Sequence, residues 1–123
     1  MSWTLVNDLN LDLDGVDVGC QPSNRWESDF TYNFTPMLTK AFEIAELDNP
    51  DGEHLRNLSG LNNKEAAPLI LKIWTTFLQN RDVLEDLEPD NGWGTYEQLC
   101  EVLQKMHVRN TRCFNEHFVW RSF

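Results

Sequence analysis

The sequence predicts an α+β domain in which an N-terminal hairpin and a C-terminal strand form a small antiparallel sheet packed against about three helices. Three observations predict it. Residues 25–34 alternate with period two, the apolar spacing changes to about 3.6 after Thr35, and alternation returns over residues 117–123. The order β–β–α–α–α–β places the helices on one face of the sheet. One domain is expected over residues 1–123, with a β-rich part at 1–34, a helical part at 35–107 and a closing strand within 108–123.

At the start, residues 2–6 and the alternation of Leu9, Leu11 and Leu13 with Asp8, Asn10, Asp12 and Asp14 favour extended chain up to the turn residues Gly15, Gly19 and Pro22. In the second strand Trp26, Ser28, Phe30, Tyr32 and Phe34 share one face, and Arg25, Glu27, Asp29, Thr31 and Asn33 the other. Thr35 and Pro36 then read as N-cap and first turn of a helix carrying Met37, Leu38, Ala41 and Phe42 to about residue 47. Asn62 and Glu65 have capping-box spacing ahead of Ala66, Leu69, Ile70, Ile73, Trp74 and Phe77, with Pro68 a kink or a later start. Asn80 precedes a short segment holding Val83, Leu84 and Leu87. Thr95 and Gln98 form a second box, ahead of a helix burying Tyr96, Leu99, Cys100, Leu103 and Met106 and fading after His107. The closing strand is expected to pair with the hairpin.

Composition narrows the function classes. Twenty carboxylates against ten Lys and Arg leave a formal charge of −10, and the basic residues are spread along the chain. Such a surface repels phosphate backbones and anionic membranes, so the expected partner is a protein or complex with a basic surface, with no direct nucleic-acid or membrane contact. No stretch approaches the roughly 20 apolar residues of a membrane helix. The first residues carry no secretory pattern, and Cys20, Cys100 and Cys113 are too few and scattered for a disulfide framework, so a cytoplasmic protein is expected.

Each candidate site competes with a plainer reading. Residues 10–15 resemble the front half of a calcium loop, with Asp12, Asp14 and a Gly, but Asp17 stands where an apolar residue belongs and Gln21 where a bidentate Glu would close the site. Cys100, His107, Cys113 and His117 lack the short Cys-x-x-Cys spacing that fixes zinc. Cys113 near His117 is the only local nucleophile–base pair, and no oxyanion site or phosphate loop accompanies it. No catalytic residue, metal ligand or cofactor is expected. The most distinctive segment is Asn91-Gly92-Trp93-Gly94, followed by Tyr96. It reads as a structural motif in which the glycines permit positive φ and Trp93 plugs the core beneath the last helix; the competing reading is an interaction hot spot.

Tyr32-Asn33-Phe34-Thr35-Pro36-Met37, Glu65-Ala66-Ala67-Pro68 and Pro89-Asp90-Asn91-Gly92-Trp93-Gly94-Thr95-Tyr96 occur in the same order in a widespread set of small phage and prophage proteins without assigned biochemistry. The chain resembles that set over about residues 25–106. The resemblance implies a phage origin and an accessory role, and transfers no catalytic residue. Together with the charge it leads to the expectation of a non-enzymatic inhibitor of a host defence or nucleic-acid-processing complex, such as a CRISPR or restriction complex. Asp8, Asp12, Asp14, Asp17, Glu27 and Asp29 would form its DNA-mimicking partner surface. The alternatives are a virion component assembling through an apolar patch of Trp3, Trp120 and Phe123, and a metal-binding protein or enzyme.

Overall fold

The computed structural model describes residues 2–9, 25–90, 92–114, 116 and 118–123. Strand β1 (Ser2–Leu9) lies between β2 (Arg25–Thr31) and β3 (Phe118–Ser122), antiparallel to both, in the sheet order β2-β1-β3. Helices α1 (Thr35–Ile44), α2 (Asn63–Gln79), α3 (Arg81–Glu85) and α4 (Tyr96–Arg112) complete the α+β fold. The expected alternation sets the register: Trp3 pairs with Phe30 and Asn7 with both Trp26 and Trp120. Trp3 stacks on Phe30 at 4.4 Å between ring centroids, and Trp26 meets Trp120 edge-on. The outer edge of β3 is covered by residues 60–62, where Gly60 N–H donates to the Trp120 carbonyl and Trp120 N–H to that of Leu61.

Both capping boxes form. Asn62 accepts from Glu65 N–H while Glu65 accepts from Asn62 N–H, and Thr95 and Gln98 do the same for α4. These boxes satisfy N–H groups that a helix start otherwise leaves without partners. Pro68 lies inside α2, which starts five residues before it. Helices α2 and α4 pack against each other, with Phe77 stacked on Tyr96 at 4.5 Å and the Tyr96 hydroxyl donating to the Phe77 carbonyl.

Three boundaries differ from the sequence reading. Tyr32 and Phe34 leave the strand for a short 3-10 turn, because the Thr31 hydroxyl accepts from Asn33 N–H and offers the backbone an alternative to the ladder. Helix α1 ends at Ile44, not near 47. Glu46 turns left-handed at φ 57°, Leu47 N–H bonds the Phe42 carbonyl and Glu46 N–H that of Glu43, so Leu47 folds back onto the core. Helix α4 continues past His107 to Arg112, because its buried face stays buried while becoming polar at Arg109 and Asn110. The expected extension of the first strand through Leu11 and Leu13 lies outside the described residues.

Candidate functional site

The Gly92–Gly94 turn is held from three sides. Gln98 Oε1 accepts from Gly94 N–H at 2.8 Å and Glu88 accepts from Tyr96 N–H at 2.6 Å. Gly94 itself has φ 77°, and a Cβ there would stand 2.9 Å from the Asn33 Cβ and 3.1 Å from the Thr31 methyl. The segment around Tyr32-Asn33 and the one around Gly92-Trp93-Gly94 therefore meet in space, and the glycine is the contact. Tyr96 is buried, and burial, with a hydrogen bond to Cys100, pushes its hydroxyl pKa up. Asn91 lies outside the described residues.

Trp93 does not plug the core. It is 70% exposed, which corrects the reading of this residue as an anchor beneath α4. The space next to the last helix is filled by Phe77, Leu99 and Tyr96 itself, and the close approach of Gly94 to Asn33 leaves the tryptophan on the surface. Tyr32, next to Asn33, is 39% exposed.

The acidic candidates divide. Asp8, Glu27 and Asp29 share the outer face of the sheet, as the alternation predicts, opposite Arg25, Val6 and Thr4 in the register. Their charge is largely answered in place. Arg25 stands 3.4 Å from Asp8 and 3.3 Å from Glu27, Arg121 stands 3.4 Å from Asp8, and Asp29 accepts from the Thr4 hydroxyl at 2.6 Å. Val6, at the centre of that face, is buried. Asp12, Asp14 and Asp17 lie outside the described residues. A second acidic concentration lies elsewhere: residues 81–101 hold seven carboxylates and one cation, Arg81, and this stretch carries Trp93. Arg81 pairs with Glu85 and Glu97 and Lys105 with Glu101, while Asp82, Asp86 and Asp90 have no ion pair among the described residues.

The cysteine and histidine set is not brought together as one site. Cys113 is buried and disulfide-bonded, which removes its thiolate as a nucleophile or metal ligand. Cys100 is half-buried, with burial pushing its thiol pKa up, so it is not a ready nucleophile. His107 is half-buried, and His117 lies outside the described residues. Among the described residues no three His, Cys, Asp or Glu side chains are grouped to hold a metal ion, and no helix is long and apolar enough to cross a membrane. The apolar patch expected from Trp3, Trp120 and Phe123 does not exist as such: Trp3 and Trp120 are buried in the core, and Phe123 alone is exposed.

Two polar clusters escaped the sequence reading. One is buried between sheet and helices. Asn7 Nδ2 donates to Asn63 Oδ1 at 2.6 Å, Arg109 Nε donates to Asn7 Oδ1 at 2.9 Å, Asn110 Nδ2 donates to the Asn63 carbonyl and Trp120 Nε1 donates to Asn110 Oδ1, both at 3.0 Å. Burial lowers the Arg109 pKa and Asp8 opposes that. The second is His54, 1% exposed with φ 41°, whose ring lies 5.9 Å from Trp3 and 6.4 Å from Phe42. Neither ring nitrogen has a hydrogen-bond partner among the described residues, and burial, helped by Arg56, lowers its pKa to about 4. Asn7, Asn63, Arg109 and Asn110 are polar residues at buried strand and helix positions, where periodicity marks only apolar side chains, and His54 lies in a short 3-10 turn, so neither cluster gave a periodic signal.

Comparison of the chain with known protein families, with characterised proteins and with solved structures finds no match.

Two outcomes follow from this geometry. Gly94→Ala must adopt a left-handed backbone and displace Asn33, and should lose about 2–3 kcal/mol in urea unfolding, whereas Trp93→Ala should stay within about 0.5 kcal/mol of the parent. A loss of about 3–5 kcal/mol on Trp93→Ala would restore the core-plug reading. For His54, the unfolded ring takes its proton near pH 6.5 and the folded ring only near 4. The unfolded state therefore binds more protons between these values, so stability is highest above 6.5 and falls as the pH drops to 4, by on the order of 3 kcal/mol. His54→Asn, which tolerates positive φ, should lack this part of the decline, and parallel pH profiles for the two proteins would contradict it.

Proposed function

We propose that the protein is a non-enzymatic phage accessory protein that acts by binding a basic protein surface through Trp93. The single observation that carries this reading is a large aromatic side chain, 70% exposed, on a turn that has little freedom to move. Tryptophans presented this way are the usual energetic centres of protein interfaces, and a turn already held in one conformation loses little entropy on binding. Charge complementarity names the partner class. Glu88 and Asp90 precede Trp93, Glu97 follows it, and the whole 81–101 stretch is strongly negative, so a basic surface is attracted and an acidic one repelled. The outer sheet face, with Arg25 and Arg121 among its carboxylates, supports a DNA-mimicking role less well than this stretch does.

The resemblance to small phage proteins supports placing the partner among host defence or nucleic-acid-processing complexes, such as CRISPR or restriction complexes, whose nucleic-acid-binding surfaces are basic. Tagged wild-type and Trp93→Ala proteins should be used to capture partners from infected or lysogenic cells, with elution in steps of salt. The expected result is a defence or nucleic-acid-processing complex released by modest salt from the wild type and reduced about 30-fold on the variant, the effect of losing a residue worth 2 kcal/mol. Equal recovery on both proteins would overturn the Trp93 surface. Recovery of capsid or tail proteins, or of the protein itself, would move the reading to virion assembly, for which Leu71 and Leu78 on α2, Phe114 and Phe123 are among the exposed apolar side chains.

A further inference from the structure

Arg56 is held differently from the arginines of the surface ion pairs. Arg25, Arg81 and Arg121 each lie within 3.4 Å of a carboxylate. Arg56 has no carboxylate at ion-pair distance and its guanidinium makes no hydrogen bond among the described residues, although the chain carries twice as many acids as bases. Its nearest acid along the chain, Glu53, is exposed and unpaired with it. What holds Arg56 is aromatic. Its Cζ lies 5.6 Å from the Trp3 ring centroid and 5.8 Å from that of Tyr32, so two rings restrict the plane of the guanidinium while leaving its donors uncommitted. Its Nε is buried without a partner, and so are both nitrogens of His54, two residues away and against the same Trp3 ring. The segment is braced rather than loose: Asn49 Oδ1 accepts from His54 N–H at 2.5 Å and from Asn57 Nδ2 at 3.4 Å.

We propose that Arg56, framed by Trp3 and Tyr32 and backed by His54, is a receptor for an oxyanion, a carboxylate or a phosphate group. A guanidinium presents a flat fork of donors that matches both anions in two-point geometry, and aromatic rings on its faces direct the ligand to its edge. The neutral imidazole of His54 carries one N–H as a second donor. The −10 charge of the chain works against casual anion uptake, so an anion that does bind is selected by this fork rather than by general attraction. The site stands independently of the Trp93 surface, and neither depends on the other being right.

The test is an NMR titration of the whole protein, following the Arg56 Nε–Hε and His54 ring signals. Inorganic phosphate and glutamate are added separately, at constant ionic strength, with sodium chloride as the control. The expected result is a saturable shift of both signals with at least one of the two anions, lost in Arg56→Gln and weakened several-fold in Arg56→Lys, which keeps the charge but not the fork. A response to phosphate alone identifies a phosphorylated ligand, and a response to glutamate alone an acidic side chain or small carboxylic acid. No saturable shift with either anion, an equal response to chloride, or equal shifts at the exposed Lys64, Lys72 and Arg112 would overturn the proposal.

Discussion

The hydrogen bonds among Asn7, Asn63, Arg109 and Asn110 are the constraint on which the rest of the molecule depends. Asn7 sits at an inward position of the central strand, where the alternation calls for an apolar side chain, and it is fully buried. Its amide reaches Asn63 at the start of α2, and its side-chain and backbone oxygens both accept from Arg109 near the end of α4. Asn63 also donates to the Cys113 carbonyl, and Asn110 accepts from the Trp120 indole of β3. The network thus joins both sequence ends of the sheet to both long helices. A buried polar group costs little when satisfied and much when orphaned, so a shift of any one of these elements is penalised through the others.

The pairing of α2 with α4 is consequently fixed at both ends. At one end Asn63 and Asn110 tie the start of α2 to the last turns of α4, and at the other Phe77 and Tyr96 stack and hydrogen-bond. The turn that carries Trp93 leads directly into this second end. Its backbone is then held by Gln98, Glu88 and the packing of Gly94 on Asn33. A rigid scaffold that ends in an exposed tryptophan is the physical basis of the binding role proposed above. The Arg56 cluster rests on Trp3 of β1 and Tyr32 after β2, so the sheet rather than α4 is its support.

Much of the scaffold was legible because its signals are local or periodic. Both capping boxes are four-residue patterns with one geometric solution, and the strand at 25–31 alternates without interruption until Thr31 turns the chain. The four apolar positions of α4 from Tyr96 to Met106 could be read directly. What escaped depends on long-range partners. Asn7, Asn63 and Arg109 look like surface residues until their mutual bonds are seen, which is also why the apolar pattern of α4 fades before the helix ends. The sequence around Trp93 specifies a glycine turn but not which side of it faces solvent. That was decided by Gly94 approaching Asn33, a contact between positions 61 residues apart. The disulfide at Cys113 was hidden for the same reason, since spacing along the chain says little about distance across it.

The most direct test of this account is a double-mutant cycle on Asn7→Ala and Asn63→Ala, measured by urea unfolding. Each single change orphans buried partners, so each should cost about 2–4 kcal/mol, while the double change should cost little more than either single, giving a coupling of about 2 kcal/mol or more. Single losses below about 0.5 kcal/mol that simply add would contradict the account, because the sheet and helices would then be held by apolar packing alone.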